Sequence, residues 1–109
     1  MRILLDEMLP IGLRELLPEQ DVVTAQFAGL AGLPNGELLR QAIALGFDLL
    51  LTQDRGIPQQ QNLAGLDIAV VVITDNDPDL VRAYADELNL AIAGARPGLP
   101  VRVERRHER

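Results

Sequence analysis

Apolar residues fall along this chain in two kinds of run, and the alternation between them is the first structural signal. Ile3-Leu4-Leu5, Val22-Val23, Leu49-Leu50-Leu51 and Ile68 to Ile73 are short continuous blocks of the strand type. Between them, Leu9, Leu13, Leu16 and Leu17 recur at helical spacing, as do Leu38, Leu39, Ala42 and Ile43. The same holds for Leu80, Val81, Tyr84, Leu88 and Ile92.

Turn and cap residues set the expected boundaries. A strand over 2–5 leads to a helix entered at Pro10 and stopped by Pro18. A second strand covers 21–24. Residues 25–34, with Gly29, Gly32 and Pro34, read as an irregular loop. Asn35 is an N-cap for the next helix and Gly46 its C-cap. Residues 47–52 form a third strand, apolar enough to be buried on both faces. A loop follows through Gly56, Pro58 and the polar run 59–62, then the strongest strand, 67–74. Asp77-Pro78-Asp79 opens a last long helix ended by Gly94 and Pro97. Leu99 to Glu104 is a fifth strand, with Pro100 suited to a sheet edge. Strands alternating with helices specify the α/β class: three layers around a mostly parallel sheet of four to five strands. The expected organisation is one domain over 1–104 and a basic tail over 105–109.

Composition narrows the chemistry. The chain has 109 residues, 48% of them hydrophobic, which supports a packed core. With one Tyr, two Phe and no Trp, that core is built from Leu, Ile, Val and Ala. No cysteine is present, so disulfides and thiolate zinc sites are excluded. Asp6 comes too early for the apolar stretch of a secretory signal, and no apolar run is long enough to span a bilayer. A soluble cytoplasmic protein with no membrane partner is expected. The formal charge is −6, and every basic residue is Arg. An acidic chain binds nucleic acid only where cations or a local Arg patch reverse the field. Arg102, Arg105, Arg106 and Arg109 offer such a patch, although a solvated tail explains the same run.

The acids are placed where ligands bind. Asp6-Glu7 follows the first strand, Asp54 follows the third by one residue, and Asp75 follows the fourth. In a parallel sheet the carboxyl ends of the strands share one edge, and sites form in the crevice there. Glu37, in the first turn of its helix, joins them if the preceding glycine-rich loop folds back. Such a cluster favours Mg2+ or Mn2+, which lowers the pKa of bound water and neutralises charge at a phosphate. The expected ligands are Asp6, Glu37, Asp54 and Asp75; Glu7, the next residue along the strand, faces the other way, toward Arg14 or Arg40. Arg55, beside Asp54, is the expected phosphate contact, or else a structural partner of a neighbouring acid. His107 has no assigned role. Asp residues at strand ends and caps also occur simply because they make turns.

The segments that carry these residues resemble a known family. Ile3-Leu4-Leu5-Asp6-Glu7-Met8-Leu9-Pro10 looks like the opening of small PIN-like proteins of the DUF5615 family. Asn35-Gly36-Glu37-Leu38-Leu39 with Ala42 and Gly46-Phe47-Asp48 resembles that family's acidic helix start. Leu49 to Arg55 resembles the strand end found in PIN domains, and Gln60 to Leu63 with Ile68 to Ile73 continues the likeness over about residues 1–95. The resemblance implies a PIN-like fold and a metal-dependent ribonuclease, often the toxin of a toxin–antitoxin pair. It implies catalytic roles for Asp6, Glu37 and Asp54, with Thr52 supporting the last acid. Met8 stands where the family often has Asn, and a further helix acid of full-size PIN domains has no counterpart. The partners expected are RNA, a small antitoxin protein and a second copy of the chain.

Two other functions fit parts of the pattern. A PIN-like binding module would keep the fold without the chemistry. A receiver-like signalling domain would use Asp6-Glu7, Asp54 and Thr74, but it also needs a Lys after the fifth strand, and the chain has none.

Overall fold

The computed structural model describes residues 1–104. Five parallel strands, β1 (Arg2–Leu5), β2 (Asp21–Thr24), β3 (Leu49–Thr52), β4 (Ala69–Ile73) and β5 (Val101–Val103), form one sheet in the order β2-β1-β3-β4-β5. The expected α/β architecture is present, with helices on both faces. Side-chain alternation divides the core. Ile3, Leu5, Leu49, Leu51, Val71 and Ile73 pack on one face with Leu13, Val81, Tyr84, Leu88 and Ile92. Leu4, Leu50, Val70 and Val72 pack on the other with Ala25, Leu38, Leu39, Ala42 and Ile57. Val103 is buried at the edge, as a short fifth strand requires.

The helices differ from expectation at several points. Residues 11–16 form a 3-10 helix, with Pro10 at its N-cap position. The presumed loop contains a short helix, α1 (Ala25–Ala28), because the Thr24 hydroxyl accepts from the Phe27 amide and Gly29, at φ 77°, closes its end. Helix α2 (Asn35–Ala44) begins at the residue expected as its cap: Pro34 takes the N-cap position. A single turn, α3 (Ile57–Gln60), replaces the loop after β3. The last helix is two, α4 (Pro78–Arg82) and α5 (Ala85–Gly94), broken at Tyr84. The expected cap at Asp77 is there, its carboxylate accepting from the Asp79 amide at 2.9 Å.

In this strand order the winding direction reverses between β1 and β3. That makes the crevice at their carboxyl ends the favoured place for a ligand. Asp6 and Asp54 both lie there. No helix among the described residues is long and apolar enough to cross a membrane. Arg105, Arg106, His107 and Arg109 lie outside the described residues.

Candidate active site at the carboxyl edge

Thr52, the last residue of β3, is fully buried and organises the crevice. Its hydroxyl donates to Asp6 Oδ2 at 2.7 Å and accepts from the Asp54 amide at 3.0 Å. The two acids are therefore held on either side of one hydroxyl. β1 and β3 pair directly, and the Asp6 amide extends the ladder to the Leu51 carbonyl at 3.0 Å, which fixes the register. Asp6 Oδ1 accepts from the Glu7 amide at 2.8 Å. Asp6 is only 4% exposed, and it faces no cationic side chain among the described residues.

Asp54 folds a turn around itself. Its Oδ1 accepts from the Gly56 amide at 2.8 Å, and its Oδ2 from the Asn35 side-chain amide at 3.1 Å. Gly56 permits this closure, since a Cβ there would stand 3.0 Å from Asp54 Oδ1 and 3.1 Å from the Gln60 amide nitrogen. The Asn35 contact is one that sequence reasoning missed. An Asn at a helix start reads as a cap, but Pro34 occupies the cap position and frees the Asn35 amide to reach the acid.

The other expected ligands are engaged elsewhere. The loop before α2 does bring the helix start to Asp54, but through Asn35 rather than Glu37. The Glu37 carboxylate is bound by Arg40 and by Gln41, the latter at 3.0 Å. The Gln41 amide, and then the Arg40 guanidinium, hold it below the usual carboxylate range. Asp75 accepts from the Tyr84 hydroxyl at 3.0 Å and lies 3.4 Å from the Thr74 hydroxyl. Burial, and then the Asp75 carboxylate, push the Tyr84 phenol up to about 12. The Gln53 amide donates to the Thr74 carbonyl and ties the ends of β3 and β4. Glu7 lies past the end of β1 in a turn, and its carboxylate accepts from the Gly32 amide at 3.2 Å rather than pairing with Arg14 or Arg40. Among the described residues, no three His, Asp or Glu side chains stand together in a group that could hold a metal ion.

Two cavities flank the acids. One of about 330 Å3 is lined by Met8, Gln53, Asp54, Arg55 and Thr74. Another of about 490 Å3 lies between Glu7–Ile11, Thr24, Gln26 and Asn76, and Met8 forms the wall common to both. Met8 Sδ is 3.8 Å from the Thr52 hydroxyl, so a thioether stands where an amide would offer a polar contact. Arg55 is exposed and pairs with no acid among the described residues.

The Asp6 carboxylate and the Asp54 backbone meet at one buried hydroxyl at the switch point of a parallel sheet, and the Asp54 side chain borders a cavity. Comparison with protein-family models, with curated proteins and with solved structures returned no match.

Proposed function

We propose that the protein is a metal-dependent ribonuclease whose reacting centre is the Asp6–Thr52–Asp54 cluster. The observation that carries this reading is Asp6, a buried carboxylate with two hydrogen bonds and no counter-charge among the described residues. An ionised group in a partly desolvated site calls for a cation. Hard oxygens select Mg2+ or Mn2+. Asp6 and Asp54 are the residues that would hold such an ion, because each of their oxygens has acceptor capacity beyond its one hydrogen bond. A divalent ion supplies a Lewis acid for phosphate and a bound water of lowered pKa.

The chain's own residues set the geometry. Thr52 holds the Asp6 carboxylate and the Asp54 backbone, while Asn35 and Gly56 orient the Asp54 carboxylate. Arg55, which pairs with no carboxylate among the described residues, presents its guanidinium fork to a phosphate. Glu37 would join only by leaving Arg40 and Gln41, and Asp75 only by leaving Tyr84. The resemblance of the β1 and β3 ends to PIN-like proteins of the DUF5615 family supports the same reading. With it comes a role as a toxin acting on RNA in the cytoplasm, partnered by a small antitoxin and by a second copy of the chain.

A binding module without catalysis is the second reading, favoured by one observation: the Glu37 carboxylate is occupied on its own helix. A receiver-like domain shares the strand order, but the Lys it needs is missing from the sequence.

The test is cleavage of single-stranded RNA by the purified chain in Mn2+ and in EDTA. Cleavage is expected in Mn2+ alone. Even groups that merely orient metal ligands contribute about 10–100-fold, so Asp6→Asn and Asp54→Asn should each lose about a hundredfold or more. Cleavage undiminished by EDTA or by Asp6→Asn overturns the reading. Thermal stabilisation by Mn2+ without cleavage establishes the binding module instead.

A further inference from the structure

A third cavity, of about 300 Å3, opens between α3 and β5 on the face that carries Leu50 and Val72. Val72 forms its floor, Pro58 and Gln59 of α3 one wall, and Pro100 to Arg102 the other. Arg55 lines this cavity and also the one at Asp54, so the two share a wall. Thr52, Val72 and Arg102 stand in register on three adjacent strands. At the usual strand spacing, Arg102 lies about 10 Å across the sheet from Thr52.

The chemistry of this slot differs from that of the acidic crevice. Its floor and walls are two prolines and two valines, and an arginine stands on either side of it. Arg55 has no carboxylate partner among the described residues. Among the described residues Arg102 pairs with Glu104 alone, at 3.5 Å with both side chains about half exposed, a contact that contributes little. In a chain of formal charge −6, two arginines flanking an apolar slot next to a carboxylate pair form a local reversal of charge.

We propose that this slot holds the base of one nucleotide of single-stranded RNA beside the cleaved phosphate, with Arg55 on the connecting phosphate and Arg102 against the base. Planar guanidinium groups stack on unpaired bases, and Gln59 offers both a donor and an acceptor to a base edge. A duplex leaves no base free to enter, so the site selects single strands. The choice of a nucleotide over other anions rests on the ribonuclease reading.

The experiment follows the valine methyl and arginine Nε resonances of the full chain in EDTA as uridine monophosphate or inorganic phosphate is added. Uridine monophosphate should move the Val72 methyls and the Arg102 Nε signal, whereas inorganic phosphate should move Arg55 alone. Stacking at such sites is worth enough that Arg102→Gln should weaken nucleotide binding about tenfold. Gln59→Glu, on an exposed helix position, should weaken it as well and guards against a misfolded β5 variant. Nucleotide that leaves the Val72 methyls unmoved overturns the slot, and so does unchanged affinity in both variants. Because no metal or cleavage is involved, the two readings fail separately. RNA cleavage in Mn2+ with no methyl shift removes the slot alone. Methyl shifts with no cleavage remove the nuclease and keep a nucleotide site.

Discussion

The two edges of the sheet treat their acids in opposite ways. At the amino edge, Arg2 gathers everything. Its amide donates to Asp48 Oδ2 at 2.7 Å, and its guanidinium donates to the Leu45 carbonyl at 2.7 Å, pairs with Asp21 at 3.5 Å and stacks over Phe47 at 4.6 Å. Both acids are exposed; Asp21 pairs with the guanidinium, and Asp48 accepts from a backbone amide. At the carboxyl edge, Asp6 is buried and, among the described residues, compensated only by dipoles, the Thr52 hydroxyl and the Glu7 amide. An amino edge of this kind is a closed structural device. A buried charge without a counter-ion is a departure from what stability alone favours, and such departures gather at functional sites.

Thr52→Val gives the largest expected break in this comparison. It deprives Asp6 Oδ2 of a donor and the Asp54 amide of an acceptor inside a fully buried site. Each orphaned buried group costs about 1–3 kcal/mol, so a loss of about 2–4 kcal/mol is expected in urea unfolding. Arg2→Ala removes more contacts, but exposed ones, and should lose about 1 kcal/mol. If Arg2→Ala proves the more damaging, the carboxyl edge is not the constrained one.

A smaller effect comes from the corner where Asp75 meets Tyr84. The Tyr84 phenol is raised from 10 to about 12 in the fold. A raised pKa means that the neutral form is favoured by folding. The associated stability is complete below about pH 10 and is lost as pH rises through about 12. Tyr84→Phe should cost about 1 kcal/mol at neutral pH and remove that alkaline loss. Tyr84 is the single tyrosine and Trp is absent, so an ultraviolet titration reads it directly. A midpoint at the ordinary value would detach Asp75 from Tyr84 and return it to the candidate ligands.

These particulars show what the sequence carried. The apolar blocks at 3–5, 49–51 and 68–73 located the central strands. Strand-end placement alone put Asp6 and Asp54 at one edge, because parallel strands share their carboxyl ends. What could not be read depends on contacts far apart in sequence. The break at Tyr84 has no Gly or Pro to announce it; there the hydroxyl reaches nine residues back to Asp75. Glu37 sits at the right helix end, but Arg40 and Gln41, one turn along, draw its carboxylate onto the helix surface. Asn35 looked like a cap and became a ligand of Asp54 because Pro34 precedes it.

The smallest expected effect sharpens the contrast most. Asp48→Asn weakens the hydrogen bond of an exposed acid to the Arg2 amide and should lose about 1 kcal/mol whether or not metal is present. Asp6→Asn in EDTA removes a buried charge that no cation balances. It exchanges one hydrogen-bond arrangement for another, so its net change should lie within about 0.5 kcal/mol of zero, or be stabilising. Mn2+ reverses the order. A ligand that binds only the folded state at a hundred times its Kd adds about 2.7 kcal/mol, and that gain should appear in the wild type and in Asp48→Asn but vanish in Asp6→Asn. Thermal unfolding of the three proteins in EDTA and in Mn2+ measures all of this. A loss of several kcal/mol for Asp6→Asn in EDTA would show that Asp6 is a structural acid already satisfied by its dipoles. The carboxyl edge would then be as closed a device as the amino edge, with nothing left for a cation to balance.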